Sequence, residues 1–320
     1  MARDRGALQV KATTRLRELI RSGKPVLVPG CYNAMTAKIF EAVGFPAVYM
    51  SGYGTSLALL GMPDAGLATM SEMHLNARYI ANAVGVPVVA DADNGYGNAI
   101  NVIRTVREYV QTGVAGIHIE DQVMPKRCGH VAGKQVVSLE EAAGKYRAAD
   151  AARREVDPDF VIIARTDARG ASGGTLDDAI RRANAYLDAG ADMAFVEGPT
   201  SVAEVERVCR EVKGPIFYNQ TGVSPRLSRD EMERLGIAIT IFAGAAHRAT
   251  MQAVYDFGVA LRDEGPAAEA RFIERFGKHP IGNVHQFAGF DRIRAWEEAF
   301  LPPDELAKYE GSVGHQPERA

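Results

Sequence analysis

The sequence predicts an α/β chain closed into a TIM-type (β/α)8 barrel, and three observations carry that prediction. Eight short apolar runs alternate with amphipathic stretches between about residue 20 and residue 250. The runs are apolar on both faces, as strands of a parallel sheet covered on both sides must be. Several amphipathic stretches close on a glycine just before the next run: Gly44, Gly85, Gly113, Gly190 and Gly236, each fitting a helix C-cap. A count of eight favours a closed barrel over an open doubly wound sheet.

The elements follow in order. A helical start covers about Thr13 to Ser22, then come the strand-like runs Val26–Val28, Ala47–Met50, Val86–Ala90, Ala115–Ile119, Phe160–Ala164, Met193–Val196, Pro215–Tyr218 and Ile237–Phe242. The helical stretches between them are Met35–Val43, Ser71–Val84, Asn98–Thr112, Ser138–Glu155, Leu176–Ala189, Val202–Val212 and Ser228–Leu235. Past the eighth run lie helical stretches at Ala249–Glu264, Ala267–Phe276 and Ala288–Phe300, then a polar tail holding Pro302, Pro303 and Pro317. No linker or repeat interrupts the chain, so 1–320 reads as a single barrel domain. The barrel spans about 20–265 and a helical extension about 266–320. The surplus helices serve either a subunit contact or the chain's own barrel bottom.

Composition bounds the partners. The chain has 320 residues, 24% charged and 47% hydrophobic, with a net charge of −3, which gives no reason to expect nucleic acid or an anionic membrane. No apolar run approaches the roughly 18 residues of a spanning helix. Residues 1–11 are charged with no apolar core, so no secretory signal is expected. Three cysteines, Cys31, Cys128 and Cys209, have neither an even count nor metal-ligand spacing, which suits a reducing cytoplasm.

A barrel places its chemistry where strands end, and those ends are polar here. They are Cys31-Tyr-Asn33, Tyr49-Met-Ser-Gly-Tyr-Gly54, Asp91-Ala-Asp-Asn-Gly-Tyr-Gly97, Glu120-Asp121, Arg165-Thr-Asp167, Glu197 and Asn219-Gln-Thr221. Asp91 and Asp93, two residues apart on a strand, share a side, and Glu120 on the next strand joins them. Three carboxylates in one mouth call for a hard divalent cation, Mg²⁺ or else Mn²⁺, rather than zinc. The alternative is neutralisation by Arg165 and Lys126. Ser51-Gly-Tyr-Gly54 offers backbone N–H groups to an anionic carboxylate or phosphate. It lacks the third glycine of a dinucleotide fingerprint. Arg165 suits a substrate carboxylate, or else an internal bridge to Glu197.

After the fourth strand, Pro125 leads into Lys126-Arg-Cys-Gly-His130, followed by Gly133 and Lys134. A thiol among cations favours thiolate. An exposed basic loop with an incidental cysteine is the plain alternative.

Taken together, Asp91-Ala-Asp-Asn-Gly-Tyr-Gly97, His118-Ile-Glu-Asp-Gln122, Lys126-Arg-Cys-Gly-His130 and Ala164-Arg-Thr-Asp-Ala168, in that order, resemble the isocitrate lyase/phosphoenolpyruvate mutase superfamily. The likeness covers roughly residues 20–250 and is nearest the methylisocitrate and dimethylmalate lyase branch. The resemblance implies a barrel whose last helix is exchanged between subunits of a homotetramer, and a Mg²⁺ ion that binds a 2-oxo or 2-hydroxy acid. It implies metal ligation by Asp91, Asp93 and Glu120. It gives reacting-group roles to Cys128, Tyr49, His118, Lys126, Arg127 and His130, with Cys128 the general acid on a lid. Substrate contacts fall to Ser51, Gly52, Tyr53, Asp64, Gly129, Arg165, Glu197, Asn219 and Thr221. The implied reaction is Mg²⁺-assisted retro-aldol cleavage of a 2-alkylmalate- or methylisocitrate-like acid. Oxaloacetate hydrolysis or decarboxylation and C–P chemistry remain rivals, as does a non-catalytic oligomeric binding protein. Around Asn219–Arg226 the loop is shorter than in methylisocitrate lyases, and the chain lacks the length for the inserted domain of isocitrate lyases.

Overall fold

The computed structural model describes residues 10–318, so most of the N-terminal stretch read as lacking a leader lies outside the described residues. Eight parallel strands close in sequence order, β8 pairing back onto β1. They are β1 (Val26–Cys31), β2 (Val48–Met50), β3 (Val88–Asp91), β4 (Gly116–Glu120), β5 (Val161–Thr166), β6 (Met193–Val196), β7 (Ile216–Asn219) and β8 (Ile237–Phe242). The helices up to the end of the barrel are α1 (Ala12–Arg21), α2 (Ala34–Val43), α3 (Gly52–Leu60), α4 (Met70–Ala83), α5 (Ala99–Thr112), α6 (Leu139–Val156), α7 (Leu176–Asp188), α8 (Val202–Glu211), α9 (Arg229–Arg234) and α10 (Ala245–Glu264). The predicted barrel is present strand for strand. Among the described residues, no helix is long and apolar enough to cross a membrane.

Strand alternation explains why these runs are apolar throughout. Inward-facing Tyr49, Val89, Ile163, Phe195, Phe217 and Ile239 fill the barrel. Outward-facing Ile117 and Ile119 of β4 pack in a second layer with Tyr109 of α5 and Tyr146 of α6. That second layer also anchors the strand ends. The buried hydroxyls of Tyr109 and Tyr146 donate to the carbonyls of Asp91 (3.2 Å) and Ile119 (2.6 Å). Each such bond contributes on the order of 1 kcal/mol. Helix starts follow the capping signal in the sequence: Thr69 with Glu72, and Ser228 with Glu231, form reciprocal capping boxes.

Some expectations are corrected. Gly44 and Gly113 are left-handed C-caps, and Gly190 and Gly236 take positive φ one residue past their caps. Gly85 is not a cap, because α4 ends on Val84 in extended conformation and the Gly85 N–H is taken by Glu41. Gly52–Leu60, where no helix was expected and only the backbone N–H groups of Ser51–Gly54 were singled out, is a helix whose N-cap is Ser51. Two glycines there mask an otherwise apolar helical stretch.

The chain divides into two compact units, one ending at Ala249 and the other starting at Thr250. The division falls inside α10, whereas the sequence reading carries the barrel to about residue 265. The second unit holds the rest of α10, α11 (Pro266–Gly277), α12 (Val284–Ala288), α13 (Phe290–Phe300) and a 3₁₀ stretch at Pro303–Tyr309. Neither α12 nor the 3₁₀ stretch is visible as periodicity, since each is too short to show any.

Candidate active site

Register brings the acids to one end of the barrel. Asp91 pairs with His118 across β3 and β4, and Glu120 with Arg165 across β4 and β5. Asp91 Oδ1 accepts the Asp93 N–H at 2.9 Å and Oδ2 accepts the Gly52 N–H at 3.2 Å, in the first turn of α3. A side chain on Gly52 would collide with that carboxylate, so glycine is required there. The Gly52 amide, predicted to face an anionic ligand, is spent on Asp91 in this arrangement.

The Asp91/Asp93 argument needs correction. β3 stops at Asp91, and Asp93 turns back with φ +46°. Strand alternation therefore does not place Asp93. What places it is Lys126, nearly fully buried, whose Nζ lies 2.7 Å from Asp93 and 2.5 Å from Asp64. Asp64 thereby lies beside Asp93, and its carbonyl accepts the Cys128 N–H at 3.1 Å.

Charge is unevenly covered. Burial works against ionised Asp91, but His118, Lys126 and Arg165 pull its carboxyl down to about 2. Burial pushes Asp93 up to about 6, with Lys126 opposing and Asp91 and Asp64 adding repulsion. Burial also lifts Glu120 well above the usual range although Arg165 lies 3.3 Å away. Both Glu120 carboxylate oxygens are buried with no hydrogen bond. Six buried acids (Asp64, Asp91, Asp93, Glu120, Asp167, Glu197) meet three buried cations (Lys126, Lys134, Arg165). That surplus and the orphaned Glu120 oxygens fit a divalent cation at Asp91, Asp93 and Glu120. Among the described residues, however, no three His, Cys, Asp or Glu side chains are grouped closely enough to hold an ion by themselves. The predicted three-carboxylate cage is thus not assembled, because Lys126 and Arg165 occupy two of its members. The fit is to an ion that keeps several waters and takes few direct protein ligands.

Arg165 is held by its neighbours. It reaches Asp167 through both carboxylate oxygens (2.9 and 3.2 Å), Glu197 at 3.6 Å, and stacks over Phe195 at 5.1 Å. The internal bridge to Glu197 is present, but the tighter partner is Asp167, which the sequence reading left out of the site. Asp167 is in turn backed by Lys134 at 3.3 Å. Asp167 lies one residue past the end of β5, so its place among the polar strand ends, not alternation, was the signal that could have found it.

In the loop after β4, Cys128 Sγ lies 4.0 Å from His130 Nδ1. His130 Nε2 lies 3.4 Å from Glu197, whose other oxygen accepts Asn219 Nδ2 at 3.1 Å. Burial disfavours a charged His130, yet Cys128 and Glu197 together raise it to about 10, so the ring is an imidazolium at neutral pH. Gly129 packs where any side chain would strike Arg165, and its carbonyl accepts Lys134. Arg127 departs from expectation. Gln122 clamps its backbone through both N–H (2.9 Å) and C=O (2.8 Å), and its side chain is exposed, with no ion-pair partner among the described residues. Gln122 is a residue the sequence reading missed, since nothing local marks a clamp.

Deeper in the barrel, the Tyr49 hydroxyl is 2.8 Å from His118 Nε2, both side chains being buried. Burial depresses His118 to about 4, against the pull of Asp91, so the ring is neutral. Burial likewise keeps the Tyr49 phenol protonated. Ser51 Oγ accepts the Gly54 N–H as an N-cap, and Tyr53 is partly exposed, stacking on His247 at 5.4 Å. The Tyr53 ring thus leads away from the acid cluster, toward His247 in the first turn of α10. Thr221 sits in the loop after β7, beside Asn219.

Fold and site define an enzyme of the (β/α)8 class, with a mouth of buried acids and cations under a thiol-bearing loop. The chain belongs to the phosphoenolpyruvate mutase/isocitrate lyase superfamily: residues 16–261 match the family described as phosphoenolpyruvate phosphomutase. It is 47% identical over 261 residues to the 2,3-dimethylmalate lyase of Eubacterium barkeri, covering 81% of this chain and 89% of that protein. It is 46% identical over 240 residues to a 2-methylisocitrate lyase of Aeropyrum pernix, covering 74% and 76%. A crystal structure of a 2,3-dimethylmalate lyase superposes with a TM-score of 0.84 at 34% identity, over 96% of this chain and 99% of that one.

Proposed function

We propose that the protein is a Mg²⁺-dependent carbon–carbon lyase that cleaves a 2-hydroxy di- or tricarboxylic acid into a 2-oxo acid and a carboxylic acid. The observation that carries this reading is the Cys128–His130–Glu197 line of contacts, which sets a thiol beside an imidazolium over the barrel mouth. Its relatives named as dimethylmalate and methylisocitrate lyases support the reaction class.

Mg²⁺, or Mn²⁺, near Asp91, Asp93 and Glu120 would supply Lewis-acid polarisation of the hydroxyl and carboxylate of the substrate. The chain's own residues do the rest. Arg165, released from part of its acid cluster, holds a substrate carboxylate in a bidentate grip. The Ser51 hydroxyl, still able to donate while it caps α3, and the Gly52 N–H, freed as Asp91 turns to the ion, hold the carboxylate beside the reacting bond. The Tyr49 hydroxyl, bonded to neutral His118, can take the proton of the 2-hydroxyl while passing its own to the imidazole. As the C–C bond breaks, its electron pair stays on the departing fragment, and Cys128 S–H protonates that carbon. His130 then returns a proton to the thiolate. Gly129 and Lys126 seat the loop, and Asn219 and Glu197 align His130.

The working form we propose is a cytoplasmic homotetramer with the C-terminal helix exchanged between subunits. Its partner is a small acid rather than nucleic acid or membrane. Exposed apolar side chains in the second unit, among them Val254, Tyr255, Ile273 and Phe300, support such an assembly.

The test is a substrate panel (malate, citramalate, dimethylmalate, methylisocitrate, oxaloacetate, phosphonopyruvate) assayed for 2-oxo acid release with Mg²⁺. EDTA is expected to abolish turnover, and Mg²⁺ or Mn²⁺ to restore it. Full activity in chelator, or turnover of oxaloacetate or phosphonopyruvate alone, would replace this reading with one of its rivals.

A further inference from the structure

Behind the acid cluster stands a buried cation that the proposed reaction does not use. Lys145, on α6, is 2% exposed and has no ion-pair partner among the described residues. Its Nζ donates to the Asn94 carbonyl at 3.1 Å. An ammonium taken out of water onto one neutral carbonyl costs stability, so its use lies in what that carbonyl belongs to.

Asn94 lies in the turn after β3. Two neighbours in that turn, Asp93 (φ +46°) and Tyr96 (φ +59°), are the only non-glycine residues with positive φ among the described residues. A turn of this kind persists where its surroundings over-determine it. Lys145 holds it from behind. From within, Asn94 Oδ1 accepts the Tyr96 N–H at 3.0 Å, and the Tyr96 hydroxyl meets that of Tyr109 at 2.9 Å. From the neighbouring strand, the Glu120 N–H donates to the Asp93 carbonyl at 2.8 Å.

The other end of the Asn94 amide leads to the thiol loop, where its Nδ2 donates to the Gln122 carbonyl at 3.3 Å. Gln122 stands at the stem of that loop. It bridges to Val136, the next residue's N–H donates to the Gln135 carbonyl at 2.9 Å, and its side chain clamps Arg127, the residue before Cys128. A line of buried hydrogen bonds thus runs from Lys145 through Asn94 and Gln122 to the neighbour of the thiol.

We infer that Lys145 and Asn94 are positioning residues that couple the turn carrying Asp93 to the loop carrying Cys128, so that the acid cluster and the thiol are set together. The inference rests on the lyase reading for the roles of Asp93 and Cys128, while the coupling of the two loops stands apart from the reaction. Lys145 acts through the Asn94 carbonyl, and Asn94 through the Gln122 carbonyl.

The experiment labels Cys128 with iodoacetamide in ion-free protein, read by mass spectrometry of its peptide, in wild type, Lys145→Met, Asn94→Ala and Asn76→Ala. Lys145→Met keeps an apolar stem and removes the donor. Asn76→Ala is the control, since it removes a buried amide outside both loops that donates to the Tyr32 carbonyl and the Thr55 hydroxyl. Loss of one hydrogen bond in the line should open the loop more often and label Cys128 about fivefold faster in Lys145→Met and Asn94→Ala. Mn²⁺ affinity, read from the paramagnetic resonance of the free ion, should fall about tenfold in the same two variants, the cost of losing a residue that orients a ligand. In turnover, Lys145→Met should lower kcat about tenfold with KM little changed. Asn76→Ala should melt below wild type, yet label and bind Mn²⁺ as wild type does. Wild-type labelling in either Lys145→Met or Asn94→Ala overturns the coupling, as does faster labelling with Mn²⁺ affinity unchanged. Equal acceleration in Asn76→Ala would assign the effect to general weakening and overturn it too. Should Lys145→Met not fold, Asn94→Ala decides on the same readings. Failure of the lyase reading shows separately, as no turnover of any panel substrate while the labelling difference persists.

Discussion

Glu120 and Asp121 are adjacent on one strand end and point to opposite sides of the barrel wall, and they live in contrasting surroundings. Asp121 faces the layer between sheet and helices. It accepts Thr166 Oγ1 (2.7 Å), the Asp167 N–H (2.9 Å), the Tyr186 hydroxyl (2.7 Å) and Arg182 (3.3 Å). Glu120 faces the mouth and has no hydrogen bond on either oxygen. The outer acid is satisfied by the fold and ties α7 to β4 and β5. The inner acid is left for something the fold does not supply. Local satisfaction therefore separates a structural carboxylate from a functional one more sharply than burial does, since both are about 1% exposed.

The widest test of this contrast uses the loop over the inner side. Cys128→Ser should lower kcat for C–C cleavage by about 10²–10⁴-fold, the usual cost of one positioned acid. Oxalate affinity and melting temperature should stay near wild type, since Cys128 is only half-buried in its loop. Near-native turnover in that variant would remove the thiol from the chemistry. Next in size is the outer acid. Asp121→Ala strands Arg182 and Tyr186 in a buried layer and should destabilise by about 3–5 kcal/mol, read as a drop in denaturant midpoint. Glu120→Gln, by contrast, removes a poorly covered buried charge. It should leave stability unchanged or raised while abolishing metal-dependent activity. Equal stability losses in the two variants would erase the distinction drawn here.

The sequence carried the barrel because its evidence is periodic and local: eight apolar runs and most of the helix-ending glycines each announce themselves within a few residues. It carried Glu120, Arg165 and the thiol loop for the same reason, as chemistry at strand ends. What it hid depends on contacts distant along the chain. Asp93 was placed by strand alternation, but the strand had already ended, and Lys126 holds Asp93 from 33 positions away. Arg127 reads as part of a cationic cluster until Gln122 is seen to turn its backbone outward. The helix at Gly52–Leu60 was obscured by the two glycines that let its first turn approach Asp91 and Tyr32.

The smallest expected effect is also the most diagnostic of the inner side, because His130 is there only partly covered. Its pKa is about 10 in the folded protein, against an ordinary 6.5, the raising coming from Cys128 and Glu197 in spite of burial. A histidine raised on folding contributes stability that is fully present below its unfolded value and is lost as pH rises through the folded one. The window is thus about pH 6.5 to 10. Nε2 faces Glu197 at 3.4 Å without a hydrogen bond, so the effect is that of a lone ion pair, about 1 kcal/mol or less. His130→Gln should therefore melt below wild type at pH 6, and the gap should narrow steadily and close near pH 10. In the wild type, kcat should fall over the alkaline part of the same window, as the imidazolium that reprotonates Cys128 disappears. Gaps of equal size at pH 6 and pH 10 would mean that His130 packs against Glu197 as a neutral ring. The Cys128–His130–Glu197 line would then be a contact of shape rather than of charge.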